Sequence, residues 1–236
     1  MATRLYLCSQ EFDGTGHQNL PVTPAFHTSW QETGTNLRRR MRDVLNEEPQ
    51  FTDATATTTP GNTTMHRQLI SDPLVAGITF TSGVSTFTAQ ILGRESAAND
   101  NIINRVRVLR VFNRGGDTVQ ATLIAFGNAT SVTEWLNSGL RNLTFLNATA
   151  VGATYTTVQG DRLVFELGHD DSGGTSITGS LRFGATASAT GDCGVNETDT
   201  TTTLRGWLES SVDLIFEGFP PPPRVMPFSV NRAFSY

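Results

Sequence analysis

Between residues 74 and 217 apolar and polar residues alternate with a period of two, in short runs separated by turn residues. Successive side chains on a strand point to opposite faces, so this pattern predicts strands with one face inward. In residues 84–92, Phe87, Ala89 and Ile91 share one face, and Thr86, Thr88 and Gln90 the other. In residues 162–168, Leu163, Phe165 and Leu167 point inward and Arg162, Val164 and Glu166 outward. Residues 180–184 repeat the pattern with Leu181 and Phe183. The last run places Leu208, Ser210, Val212, Leu214 and Phe216 on one face and Glu209, Ser211 and Asp213 on the other.

Further strands are predicted at 76–81, hairpinned to 84–92 through Ser82-Gly83, and at 102–112, 119–126, 142–150 and 155–158. The phase slips at Leu109, where a β-bulge is expected. Residues 132–140 are the best helix candidate, with Ser131 as cap and Gly139 as stop. About eight or nine strands at a spacing of roughly 10–15 residues predict an all-β fold. The expected architecture is an antiparallel β-sandwich, jelly-roll-like, with extended N- and C-terminal arms.

The arms are residues 1–73 and 218–236, flanking the sandwich at 74–217. Residues 4–7 could form a short strand, and 24–30 are aromatic-rich without a clear period. Residues 51–64 are nearly all Thr, Ala, Pro and Gly, a composition that reads as extended linker. On this reading the N-terminal segment cannot enclose a core and must lie on its own sandwich or on a neighbour. In the C-terminal arm Pro220, Pro221, Pro222 and Pro223 favour a stiff polyproline II stretch. Phe228, Phe234 and Tyr236 follow as aromatic anchors that suit docking.

The chain has 236 residues, enough for a real core, and a net charge of −5, which argues against general nucleic-acid binding. All 17 basic residues are Arg. Either Arg codons are favoured, or the planar guanidinium serves interfaces. Arg38, Arg39, Arg40 and Arg42 form the one basic cluster, offset by Asp43, Glu47 and Glu48. Cys8 and Cys193 are too few for a disulfide framework and read as free thiols. Neither a signal peptide nor an apolar run long enough for a membrane span is expected. Asn62, Asn128, Asn142, Asn147 and Asn196 each begin an Asn-x-Thr triplet, which a chain so rich in both residues produces by chance.

No nucleophile elbow, phosphate loop or dinucleotide fingerprint is present. His169-Asp170-Asp171 is the most metal-like run, but no complete calcium motif surrounds it, and it reads as a strand-end loop. Adjacent carboxylates such as Asp170 and Asp171 point to opposite faces of a strand, which is poor geometry for glycoside hydrolysis. No catalytic residue, cofactor or metal is therefore expected, and the protein reads as non-enzymatic. Trp30, Trp135 and Trp207 could stack on sugars, although packing is the commoner use of such residues.

The chain resembles a group of tailed-bacteriophage virion proteins, small β-proteins rich in Thr and Ala. The resemblance is carried by Arg4-Leu-Tyr-Leu7, by Pro24-Ala-Phe-His-Thr-Ser-Trp30-Gln-Glu-Thr, by Gln68-Leu-Ile-Ser-Asp-Pro-Leu74 and by Gly160-Asp-Arg-Leu-Val-Phe-Glu-Leu-Gly168. It implies a structural role in the particle. The leading expectation is a capsid decoration or cement protein on the virion surface, made in the host cytoplasm. Its partners would be the major capsid protein or other virion proteins, with self-association, for example as a trimer, and no nucleic acid or membrane. The alternatives are a neck or tail structural protein, or a receptor- or carbohydrate-binding module of a tail or fibre. The expected assembly contacts are Trp30, Arg38, Arg39, Arg40, Arg42, the four prolines 220–223, Phe228, Phe234 and Tyr236.

Overall fold

The computed structural model describes residues 2–11, 24–34, 37–43, 50–98, 100–129, 133–171, 174–184, 186 and 189–217. These residues form strands, turns and irregular segments, with no helix among them. In chain order the strands are β1 (Thr3–Glu11), β2 (Glu32–Thr33), β3 (Arg38–Arg42), β4 (Thr52–Thr58), β5 (Thr63–Ser71), β6 (Thr79–Phe80), β7 (Thr86–Glu95) and β8 (Arg105–Phe112). Then follow β9 (Val119–Asn128), β10 (Arg141–Ala150), β11 (Tyr155–Thr156), β12 (Arg162–Asp170), β13 (Ile177–Phe183), β14 (Gly191–Asp192), β15 (Leu204–Arg205) and β16 (Trp207–Ser210).

Twelve strands form one sheet along the path β4-β13-β7-β16-β1-β3-β5-β12-β8-β9, with β10 also on β7 and β2 also on β5. β7 is long enough to carry two partners in series, β16 at Phe87–Gln90 and β13 at Leu92–Glu95. β10 pairs with nearly the whole of β7 and so lies along its other edge. The sheet folds over on itself. Leu5 and Leu7 of β1, Ala54 of β4, Leu69 of β5, Phe87 of β7, Phe145 of β10, Phe165 of β12 and Leu181 of β13 all belong to one buried cluster. Strands far apart on the path therefore face one another across a shared core, as in a jelly-roll-like sandwich. Each such Leu or Phe contributes about 1.5–3 kcal/mol by leaving water.

The strands after residue 74 follow the alternation closely. Leu163, Phe165 and Leu167 lie in the core, and the β8–β9 register shifts on both sides of Leu109, the bulge that the phase slip predicts. Three local expectations are corrected. The 76–81/84–92 hairpin does not form. Residues 82–84 make a turn, but β6 pairs with β11 instead of β7. The 132–140 helix is not there: among its described residues Trp135 is buried with its backbone N–H bonded to Ile102 O, which holds the segment extended against the sandwich. The final strand stops at Ser210, and beyond it Phe216 forms only an isolated bridge to Leu74.

The largest difference concerns residues 1–73. Expected as an arm and linker, this segment supplies β1, β3 and β5 to the middle of the sheet path and β4 to one end. The supposed linker forms β4 because its alternation is written in small residues. Ala54, Ala56 and Thr58 face inward, while the outward row pairs residue by residue with β13. Asp53 binds Arg182 at 2.6 and 3.0 Å, Thr55 binds Ser180 at 2.7 Å and Thr57 binds Thr178 at 2.8 Å. Such cross-strand pairs stabilise a ladder without apolar bulk. The same segment brings parallel pairing into an otherwise antiparallel sheet, since β2 and β3 run parallel to β5. β4 serves as the crossover between β3 and β5, and a parallel pair needs a connection of about that length.

Candidate functional site

Both faces of the β5-β12-β8 layer are buried. The inner face carries the core. The outer face is covered by residues 24–31, and its central group is Glu166, fully shielded from solvent. One carboxylate oxygen of Glu166 accepts the Trp30 indole N–H at 2.7 Å and the His27 backbone N–H at 3.1 Å. The other accepts Gln68 Nε2 at 2.9 Å and the guanidinium of Arg110. Arg110 also donates to Ala25 O at 2.8 Å, and Gln68 Nε2 lies 3.2 Å from Pro24 O. A buried carboxylate is costly unless paired and hydrogen-bonded, and Glu166 has both kinds of partner. An apolar rim closes the network. Phe126 stacks on His27 at 5.0 Å and meets Trp30 edge-on at 4.9 Å, while Met65 and Val106 pack below.

This network includes two of the expected contact residues and shows how each is used. Trp30 is 8% exposed and anchors its own chain. Arg38 lies over the Phe26 ring at 4.3 Å and donates to Gln68 Oε1 at 3.1 Å. Arg39 and Arg40 are buried within β3, where Met41 enters the core, and Arg42 is half-buried. The basic cluster is thus the sequence of a sheet strand. Its charges are held in contacts within the chain more than presented outward. The prolines 220–223, Phe228, Phe234 and Tyr236 lie outside the described residues.

Trp135 and Trp207 are each about 1% exposed, so none of the three tryptophans offers a sugar-stacking platform. Trp207 donates to Cys193 O at 2.7 Å and carries the Arg4 guanidinium over its ring at 4.0 Å. Cys8 and Cys193 are buried thiols, and burial pushes the Cys193 thiol up to about 12.

His169 points into the core and Asp171 is buried, while Asp170 accepts from Asn128 Nδ2 at 3.2 Å. The three do not converge, and among the described residues no group of three His, Cys, Asp or Glu could hold a metal ion. His169 bonds instead to His66 at 2.7 Å and to Thr58 at 2.7 Å. A hydroxyl beside an imidazole can act as a nucleophile, but Thr58, His66 and His169 are all fully buried, so no substrate reaches Thr58. A groove of about 310 Å³ is lined by Thr55, Arg94, Glu95, Ser96, Asn137 and Ser180. Burial raises Glu95 above its ordinary value, although it accepts the Ile102 N–H at 3.0 Å. Arg94 is directed to Asp53 at 3.6 Å, Thr55 and Ser180 bond to each other at 2.7 Å, Ser96 donates to Asp100 at 2.8 Å, and the lining contains no imidazole to activate these hydroxyls.

Glu166, Gln68, Arg110 and the two core histidines escape sequence reading. A period-two pattern assigns Glu166 and Arg162 to solvent, because it cannot register a second covering layer. One signal was available: the aromatic segment 24–30 has no period of its own, as expected of chain laid on another surface.

No protein-family model matches the chain, and no curated protein matches its sequence. Among solved structures the chain is similar to one in the structure of the Gx strain of infectious bursal disease virus, at 12% identity and a TM-score of 0.24. The match covers 69% of this chain and 36% of that one, so the chain spans about a third of the length of the structure it matches. At that TM-score the likeness carries no inference about role.

Proposed function

We propose that this protein is a non-enzymatic structural component of a tailed-phage virion, decorating or cementing the capsid through contacts between subunits. The reading rests on the resemblance carried by residues 4–7, 24–33, 68–74 and 160–168, and on one structural observation. β9 ends the strand path as a ten-residue strand without a single charged residue. Among the described residues no further strand pairs with it, although Leu123 O accepts the Gly152 N–H at 2.8 Å and Arg107 of β8 donates to Ala125 O and Gly127 O near its end. Monomeric proteins blunt such an edge with charges or proline, and an edge left uncharged is a template for pairing with another chain. Val119 at its start is 42% exposed. Cementing works by mass action, since area buried between subunits favours the assembled state. Self-association into a closed oligomer such as a trimer fits this mode, and the segment 218–236 supplies further contacts through its prolines and aromatics.

Charging the edge tests the proposal. Gln120→Lys with Thr122→Lys leaves the core untouched, because both positions are exposed. The double variant keeps wild-type thermal stability and loses self-association in sedimentation velocity. A wild-type chain that stays monomeric, together with a double variant that binds shells as well as wild type, would refute the edge as the contact.

A further inference from the structure

His66 on β5 and His169 on β12 form a hydrogen-bonded line that crosses the core to β4. His66 Nδ1 lies 2.8 Å from Ala54 O, His66 Nε2 lies 2.7 Å from His169 Nδ1, and His169 Nε2 lies 2.7 Å from Thr58 Oγ1. The chemistry of the end group fixes every proton. A carbonyl oxygen only accepts, so His66 carries its proton on Nδ1. His66 Nε2 is then the acceptor, His169 donates from Nδ1, and the Thr58 hydroxyl donates to His169 Nε2. With both rings neutral every member of the line has a partner.

This line spans the fold. β4 is at one end of the strand path, whereas β5 and β12 are its seventh and eighth members. β4 and β5 share no backbone ladder, so His66 and His169 tie one layer of the sandwich to the other. The inward residues of β4 are Ala54, Ala56 and Thr58, which offer little apolar area. Polar contacts must therefore carry much of its attachment. A further polar link from β5 is Thr64 Oγ1 to Thr57 O, at a long 3.4 Å.

No group around the rings would welcome a positive charge. From β4 the neighbours are Ala54 and Thr58. From β5 the nearest charge is Arg67, a cation, which donates to His66 O at 2.8 Å. From β13 the neighbour is Gly179, where an added Cβ would crowd His169 and Trp135. Trp135 packs beside both rings, at 6.1 Å from His66 and 5.6 Å from His169, with Ile102 next to it. On β7, Glu95 is turned to the Ile102 N–H and sits beside Glu134 and Asp100. On β12, Asp170 follows His169 but bonds to Asn128. One added proton, on His169 Nε2, turns the Thr58 hydroxyl from donor to acceptor and puts a positive charge in the core with no carboxylate bonded to either ring. A second would set two N–H groups against each other across 2.7 Å.

We propose that the His66–His169 line is an acid-operated latch: proton uptake by the pair frees β4 from the β5–β12 layer while β4 stays paired with β13. This goes beyond a structural role and holds whether or not the protein cements a capsid. Burial pushes His66 down to about 4, helped by Arg67, and His169 well below its ordinary value. The sign follows. Both groups take up protons more readily in the unfolded chain, so their contribution to stability is present above about pH 6.5 and declines as pH falls towards about 4.

The test is NMR on the full chain. Imidazole ¹⁵N spectra at neutral pH show both rings neutral with the proton on Nδ1, and neither titrates near the ordinary midpoint of about 6.5. Between about pH 7 and about pH 4.5, amide protection in β4, corrected for the intrinsic exchange rate, falls at least about tenfold more than in β8. The His66→Gln/His169→Gln variant lacks the extra opening. If that variant does not fold, the wild-type data decide alone. Either ring titrating near 6.5, or β4 protection falling no more than that of β8, would overturn the latch.

Discussion

Trp30 and Glu166 are 136 positions apart in sequence and joined by a 2.7 Å hydrogen bond from an indole N–H to a fully buried carboxylate. That bond turns a segment with no periodicity into the outer cover of the β5-β12-β8 layer. Trp30→Phe keeps most of the packing and removes the donor. It is expected to cost about 1–3 kcal/mol, measured by urea unfolding.

Glu166→Gln should cost more, about 3–5 kcal/mol, because it leaves the buried Arg110 guanidinium without its counter-charge. The matched control is Glu209→Gln, which breaks a partly exposed pair with Arg4 at 2.8 Å and is expected to cost less than about 1 kcal/mol. Equal costs for the two would show that Glu166 is not the hub described.

Glu32 ties the β4–β5 turn to the segment before β3. It accepts the Thr59 N–H at 3.0 Å, Asn62 Nδ2 at 2.9 Å and Thr64 Oγ1 at 2.8 Å, as well as the Thr59 hydroxyl. Led by the Thr59 hydroxyl, these donors hold its carboxyl down at about 2. A depressed folded value means stability that is present above the ordinary carboxylate range and lost as pH falls through it towards about 2. Glu32→Gln should flatten the thermal-midpoint curve in that acid range and leave it unchanged near neutrality.

Gly168 sits where β12 and β5 shift register. An added Cβ there would fall on the Thr64 carbonyl, which is backbone and cannot swing aside. Gly168→Ala is expected to cost about 3 kcal/mol or more. Gly139→Ala meets nothing within 4 Å and should be silent. Circular dichroism melts of the two variants make the comparison.

Both thiols are buried, and Cys193 is pushed up to about 12, so the thiolate that would react is scarce. A thiol reagent at about pH 8 should label neither cysteine in the native chain and both in guanidinium. Rapid native labelling of Cys193 would place it at the surface.

Sequence made the fold class legible wherever alternation is written in large residues. Phe87-Ala89-Ile91 and Leu163-Phe165-Leu167 announce their strands, and the phase slip at Leu109 announces its bulge. It failed where the alternation is written in Ala and Thr, as in β4, because composition suggests a linker and only pairing with Asp53–Arg182 geometry reveals a strand. It failed again at β3, where Arg40 and Arg42 flank Met41 and charge masks a core position. Glu166 was hidden because a polar side chain in a strand reads as outward until its distant partners are known, whereas His66 lay in the segment read as an arm and His169 in a run read as a strand-end loop.

The central claim, that the chain works by binding a shell and not by catalysis, is tested by titrating the purified protein onto capsid shells that lack it. The account predicts saturable co-sedimentation at a fixed ratio to the major capsid protein, with a raised temperature of shell disassembly. A chain that stays in the supernatant at every concentration and leaves the shells unchanged would contradict it.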